Sequence, residues 1–455
     1  MNLESINPAT GQRLRVYPET GTGEVSRVLD SAVAAFGRWS SRGFRDRAVP
    51  MRAAADLLHE HRDRWARLMA EEMGKPLAQG VTEAEKCAAA CRYFAERAEE
   101  LLSPMPVTSD ARESFVAFRP LGVLLAIMPW NFPFWQVFRA AVPAIMAGNV
   151  VVLKHASNVC GCSAAIAGLF ETAGFPPGVF ASIMAGSASV ERLVADPRVQ
   201  AVTLTGSTDA GRAVARAAGA ALKKCVLELG GSDPYVVLED ADLELAAAVC
   251  AESRLINSGQ SCIAAKRFVV VEPVRRRFEE LFVGEMRARR AGDPFDPRAT
   301  VGPLARGDLR QTVIRQVETS MRQGARLLLG GAAPAGPGFF YPPTVLTDVR
   351  RGMPAFDEEV FGPAAAIVPV RDEAQAIEAA GDTPFGLGAA VFTRDLERGR
   401  RIAAEQLEAG NCFVNALVRS DPRLPFGGVR ASGFGRELSV FGIREFVNVK
   451  TVFLG

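Results

Sequence analysis

Histidine is scarce in this sequence: His59, His61 and His155 are the only three in 455 residues. With no H-E-x-x-H pattern and no Cys/His cluster, the ligands for a zinc centre are missing. The same shortage works against a Cys–His or Ser–His–Asp arrangement, so a nucleophile here needs a base other than imidazole. Cysteine is sparse too. Eight residues, none in a C-x-x-C pair and the nearest two in Cys160-Gly161-Cys162, are too few for a disulfide scaffold. Apolar runs such as Leu121 to Pro129 fall short of the roughly 20 residues a spanning helix needs. The start, Met1-Asn2-Leu3-Glu4, has neither a basic n-region nor an apolar h-region, which predicts no signal peptide. No excess of one charge sign exists. With 53 basic and 51 acidic residues the net charge is +2, which predicts no binding of nucleic acid or of an anionic membrane.

What is present is ordinary globular composition, 48% hydrophobic and 23% charged, over a length that suits two or three domains. These features predict a reduced, cytoplasmic α/β protein. The first hundred residues read as mostly helix, with apolar residues at helical spacing over 24–40, 45–61 and 80–102. From Gly122 to Gly230 short apolar runs alternate with amphipathic stretches, the pattern of a parallel sheet covered on both faces. Four runs end in unusual residues: Pro129-Trp130-Asn131-Phe132-Pro133, Lys154-His155-Ala156-Ser157, Thr205-Gly206-Ser207 and Glu228-Leu229-Gly230-Gly231. Ligands of such sheets bind beyond the carboxyl ends of the strands, so these four ends could line one crevice. A second α/β run follows from Pro234, with helices near 274–290 and 308–323 and strands around 364–370, 388–392 and 412–414. The closing stretch, Glu445 to Leu454, alternates apolar and polar residues. That predicts a half-buried strand, paired with Ser114 to Phe118 or with another subunit.

Four segments carry candidate chemistry. Cys262 follows a Gly-containing loop, as an exposed reactive thiol would, although a buried structural cysteine is the commoner fate of such a residue. Glu228 at a strand end suits a desolvated general base or a salt-bridged interface carboxylate. Asn131, between two prolines, suits an oxyanion donor or a turn asparagine. Gly206-Ser207-Thr208 suits phosphate at a helix start or a plain N-cap, and neither G-x-G-x-x-G nor G-x-x-x-x-G-K-[ST] occurs to strengthen it.

In order, the segments are Pro-Trp-Asn-Phe-Pro (129–133), Lys154, Thr-Gly-Ser (205–207), Glu-Leu-Gly-Gly (228–231), Gly-Gln-Ser-Cys (259–262), Glu-Glu-Val-Phe-Gly-Pro (358–363) and Pro-Phe-Gly-Gly-Val-Arg-Ala-Ser-Gly-Phe-Gly-Arg-Glu (425–437). This series resembles the aldehyde dehydrogenase superfamily over essentially the whole chain, and most of all its short bacterial succinate-semialdehyde dehydrogenases. The resemblance implies two parallel-sheet, Rossmann-like α/β domains plus a β oligomerisation arm. It implies a cofactor-binding domain over 1–102 and 119–230, a catalytic domain over 231–440, and an arm with the C-terminal strand over 103–118 and 441–455. It also implies a homodimer or homotetramer.

The resemblance further implies roles. Cys262 attacks an aldehyde, its backbone N–H and the Asn131 amide hold the oxyanion, and Glu228 activates water to release the acid. NAD or NADP is bound by Lys154 and Glu359 at the ribose hydroxyls, by Gly206 and Ser207 at the pyrophosphate, and by Trp130 and Phe361 near the nicotinamide. Where NAD-demanding relatives carry a glutamate three residues after the lysine, this chain has Ser157, which implies that NADP is tolerated. His155 and Arg192 are possible further positive charges there. Arg139, eight residues after Asn131, stands where succinate-semialdehyde dehydrogenases bind the distal carboxylate. The second arginine of that pattern is replaced by Ile256, with Arg254, Arg419 and Arg423 as candidate substitutes. Arg430 replaces a usual lysine, with charge kept. Oxidation of an uncharged or amino-aldehyde, thioester release to CoA, and a non-catalytic relative are the alternatives.

Overall fold

A computed structural model describes residues 2–455. Its first large sheet has six strands in the order Gly433–Phe434, Lys224–Glu228, Val199–Thr205, Val123–Met128, Val150–His155 and Phe180–Ile183. All neighbours are parallel except the short Gly433–Phe434 strand, which pairs antiparallel with Glu228 and Leu227. The strands Val123–Met128 and Val150–His155 are buried at every position. Apolar runs without alternation are therefore what this sheet needs, because helices cover both faces. Helix Thr22–Trp39 packs on strand Val150–His155, helix Trp135–Met146 on strands Val123–Met128 and Val150–His155, and helix Thr208–Ala220 on strands Val199–Thr205 and Lys224–Glu228.

The N-terminal helices run Thr22–Trp39, Phe44–Glu60, Arg62–Met73 and Leu77–Leu101. Arg62–Met73 is an addition to the sequence reading, and buries Trp65, Met69 and Met73 at i, i+4 and i+8. It ends at Gly74, whose φ of 76° closes the helix in the left-handed region.

The second large sheet has seven strands in the order Arg326–Leu329, Thr344–Thr347, Ala364–Val370, Arg267–Val271, Pro234–Val237, Gly388–Phe392 and Asn411–Val414. Only Arg326–Leu329 runs antiparallel to its neighbour. Separate apolar clusters cover its two faces, one around Val236, Val269 and Leu346, the other around Tyr235, Phe268 and Phe282.

A third sheet pairs Val447–Leu454 antiparallel with Glu113–Pro120, which also pairs with Met105–Pro106. The strand partner is the one expected from the sequence, but the half-buried face is not seen within the chain. Only Val447 is buried, while Val449, Phe453 and Leu454 are exposed. The reason is that this ribbon stands clear of the core, so alternation has nothing to bury against.

Four strand ends meet in the first sheet. Glu228, Thr205, Met128 and His155 close neighbouring strands on one edge. The crevice expected from sequence is thus a consequence of strand order.

Candidate active site

Cys262 sits in a loop that the fold holds under constraint. After helix Leu243–Leu255 the chain passes through Asn257, Ser258 and Gly259 with φ of 52°, 58° and 76°. Two non-glycine residues in the left-handed region cost on the order of 1 kcal/mol or more each and need outside support. Support comes from four directions. Asn257 Nδ2 donates to the Asn131 carbonyl at 2.6 Å, and Ser258 Oγ accepts from Gly302 N–H at 2.8 Å. Gln260 Oε1 accepts from Ala305 N–H at 2.8 Å, and Arg254 Nη2 donates to the Gly259 carbonyl at 2.7 Å. Gly259 lies so close to the Gly362 carbonyl that a Cβ would come within 2.2 Å of its oxygen. Only glycine serves there.

The thiol of Cys262 is pushed up to about 12, first by burial, with Arg139 and Lys266 pulling it down and Glu359 and Glu228 opposing them. It is therefore held as a thiol in this state and needs a proton acceptor before it can attack. Lys266, which the sequence reading passed over, donates from Nζ to the carbonyls of Ser261 at 2.9 Å and Cys262 at 2.6 Å. Its only sequence signal was its place four residues after the cysteine.

Glu228 is buried, and both its carboxylate oxygens lack a hydrogen-bond partner among the described residues. Burial holds its pKa well above the carboxylate range, Glu437 raises it further, and Arg139 and Arg436 work the other way. Gly427 makes room for it, since a Cβ there would stand 2.7 Å from Glu228 Oε1. Glu437, which closes the 425–437 segment but had no role assigned to it from sequence, is buried and ion-paired with Arg139.

Asn131 spends one N–H on the Gln260 carbonyl at 3.0 Å, which fixes its carboxamide and leaves the second N–H. Its loop is set from behind. Glu83 Oε1 accepts from the N–H groups of Phe134 and Trp135, each at 2.9 Å, at the start of helix Trp135–Met146. The other Glu83 oxygen is ion-paired with Lys75, which is fully buried and lies 3.8 Å above the Phe132 ring. Replacing Glu83 with Ala leaves Lys75 buried and unpaired. That is expected to cost about 3–5 kcal/mol of unfolding free energy, as read by denaturant titration.

Two cavities meet at Cys262. One, of about 510 Å³, is lined by Trp130, Asn131, Lys154, Gly206, Ser207, Glu359 and Phe361. The other, of about 400 Å³, is lined by Lys86, Trp135, Arg139, Arg419, Ser420 and Phe426 among others. The thiol thus stands where two ligands would touch.

The larger cavity fits a dinucleotide. Lys154 is nearly buried on its wall without an ion pair among the described residues, and burial lowers its pKa, so it suits hydroxyl or phosphate oxygens. Ser207 caps helix Thr208–Ala220 by accepting from Ala210 N–H at 3.3 Å, so the plain N-cap reading and the ligand-facing reading hold together. Trp130 and Phe361 meet edge to face at 5.8 Å. Glu359 Oε1 accepts from Gly231 N–H at 3.0 Å and lies 3.7 Å from Lys266 Nζ. Ser157 is exposed just beyond the wall residues Lys154 and Ala156.

Other candidates fall elsewhere. His155 adds no positive charge: burial lowers it to about 4, with Nδ1 accepting from Ala156 N–H at 2.9 Å and Nε2 against the Pro133 carbonyl at 2.8 Å. Arg192 is exposed and does not line the cavity. Arg254 is fully buried beneath the cysteine loop, and Arg423 is taken by Asp421 at 2.6 Å. Neither lines the second cavity; Arg419 does, from an exposed position. Arg139 lines it too, with its guanidinium paired to Glu437, 3.2 Å from Thr205 Oγ1 and 4.7 Å above Phe426. Among the described residues there is no cluster of metal-ligating side chains, and no helix is long and apolar enough to cross a membrane.

A half-buried thiol between two cavities, a fixed carboxamide on the wall of one, and an unpartnered carboxylate whose charge reaches the thiol are groups the resemblance implied, and sequence comparison bears out the family. Residues 1–452 match the Aldehyde dehydrogenase family, to which the chain belongs. It is 49% identical over 454 residues to a probable succinate-semialdehyde dehydrogenase [NADP(+)] of Synechocystis, covering 100% of both chains. It is 48% identical to a succinate semialdehyde dehydrogenase [NAD(P)+] of Escherichia coli, covering 99% of this chain and 97% of that one. Among solved structures, the succinic semialdehyde dehydrogenase of Streptococcus pyogenes in complex with NADP+ superposes with a TM-score of 0.97 at 35% identity, over 99% of each chain.

Proposed function

We propose that this chain oxidises succinate semialdehyde to succinate with NADP or NAD, through a covalent thioester on Cys262. The observation that carries the reading is the position of Cys262 at the junction of a cofactor-sized cavity and a cation-lined one. The relatives named above support the substrate and the cofactor.

The Cys262 thiol passes its proton to water in the cavity, and the sulfur attacks the aldehyde carbon. The backbone N–H of Cys262 and the free N–H of Asn131 receive the oxyanion, which drives the next step as it collapses. That collapse expels a hydride, for which bound NADP or NAD would supply the acceptor. The carbonyl then left on sulfur is a thioester. Glu228 takes a proton from water, the hydroxide attacks the thioester carbon, and the acid leaves as the Cys262 sulfur is freed. Lys154 and Glu359 would hold ribose hydroxyls, Gly206 and Ser207 would approach the pyrophosphate, and Trp130 and Phe361 would pack near the nicotinamide side. Arg139 borders the substrate on the inner wall of the smaller cavity.

Ser157 supports acceptance of NADP, because a neutral residue there leaves a 2′-phosphate unopposed. Ser157→Glu is expected to lower kcat/KM with NADP at least about tenfold more than with NAD, a difference of about 1.4 kcal/mol. The exposed Val449, Phe453 and Leu454 on the C-terminal strand support a homo-oligomer in which a neighbour covers this ribbon. All eight cysteines are free thiols, which supports a reducing, cytoplasmic setting.

The test is a panel of aldehydes of varied length and terminal charge with each cofactor. Highest kcat/KM for succinate semialdehyde is expected. A flat profile, or a best substrate without charge, would favour the uncharged-aldehyde alternative. Product formation that required CoA would favour the acylating one, against which Glu228 stands.

A further inference from the structure

The cavity on the substrate side of Cys262 carries four cations, and they are not equivalent. Arg139 is neutralised by Glu437 and Arg289 lies 3.8 Å from Glu285. Arg419 is exposed at the mouth. Lys86 is half-buried, and no carboxylate among the described residues forms an ion pair with it. Its ammonium donates to Ser420 Oγ at 2.7 Å and lies 4.4 Å above the Trp135 ring. Neither acidic residue of the wall forms an ion pair with it. Glu83 is held by Lys75 and by two backbone N–H groups, and Glu252 is exposed.

We propose that Lys86, with Ser420 beside it, seats the distal carboxylate of the substrate, and that this ammonium, more than the paired guanidinium of Arg139, sets the preference for an ω-carboxylated aldehyde. The inference rests on the substrate reading above and assigns the group that enforces it. A cation drawn out of water without a counterion is costly, and an arriving carboxylate removes that cost. The aromatic face of Trp135 holds the ammonium without neutralising it. The Ser420 hydroxyl, which now accepts from Lys86, can turn its own hydrogen to the second carboxylate oxygen. An uncharged aldehyde of equal length offers neither contact.

The groups facing Lys86 are Glu83 and Cys87 on its own helix, Arg139 on helix Trp135–Met146, and Asp421 beyond Ser420. Burial lowers Lys86 to about 8, Arg139 acts in the same direction, and Cys87, Glu83 and Asp421 oppose. Lys86 therefore loses its charge as pH rises through about 8, and the advantage of a charged substrate should fade with it.

The test compares the full-length wild type with K86M and K86R, using succinate semialdehyde and butanal, which share a four-carbon chain. K86M is expected to lower kcat/KM for succinate semialdehyde about tenfold or more, chiefly through KM, with a much smaller effect on butanal. K86R should restore most of the preference. In the wild type the ratio of the two kcat/KM values should fall above about pH 8, and in K86R it should stay flat, because guanidinium does not titrate there. Melting temperature and the dissociation constant for NADP should match among the three proteins. A wild type without preference for succinate semialdehyde would overturn the substrate reading, and this inference with it. A wild type that prefers it, beside a K86M protein with the same preference or with equal losses on both aldehydes, would overturn the Lys86 assignment alone.

Discussion

Cys262→Ala is expected to remove aldehyde oxidation, lowering kcat by at least about 10³-fold, because no second nucleophile can form the covalent intermediate. Of the other groups at the junction, Asn131 is an amide, Ser261 is a hydroxyl and so a far weaker nucleophile, and Glu228, whose charge reaches the thiol, is a carboxylate. A carboxylate adduct on an aldehyde would be a poor hydride source. The variant should still fold and bind NADP, because Cys262 is a small residue at the cavity junction and none of the loop's supporting bonds uses its side chain. Rapid mixing of wild type with succinate semialdehyde, followed by intact-mass measurement, should show an acyl mass that the alanine variant lacks. Residual turnover above a few per cent in Cys262→Ala would remove the sulfur from the mechanism.

Glu228→Gln is expected to separate the two halves of the reaction. Loss of a general base costs about 10²–10⁴ in the step it serves. That step is attack of water on the thioester, so the variant should give a burst of reduced cofactor near one per active site, then slow turnover. The acyl mass should persist in it. The pH dependence follows from the same carboxylate. Glu228 must be ionised to accept a proton, and its pKa is raised by burial and by Glu437. Wild-type kcat should therefore rise with pH through that raised value. Glu437→Gln removes a like charge and frees Arg139 to act on Glu228, so both changes lower its pKa. The rising limb should move to lower pH. A limb that moved upward or stayed in place would separate Glu228 from Glu437.

The order of elements was legible because continuous apolar runs ending in Pro/Gly-rich turns have one economical use, a parallel sheet with helices on both sides. Cys262, Glu228 and Asn131 were legible because they stand in short segments with distinctive neighbours. Lys266 and Glu437 were not. A lysine four residues past a cysteine and a glutamate in a glycine-rich tail are common, and their meaning lies in what faces them. Arg254 was misplaced for the same reason: its position near the cysteine in sequence is equally a position beneath it, supporting the Gly259 carbonyl.

Taken alone, the sequence pointed to four strand ends on one crevice, offered a carboxylate as the candidate base, and left three histidines to compete with it. Only the tertiary structure decided which charges are matched. Arg139 meets Glu437 across nearly 300 residues of chain, while Lys86 meets a hydroxyl and an aromatic face. Pairing depends on distance and desolvation in space, which residue order does not record.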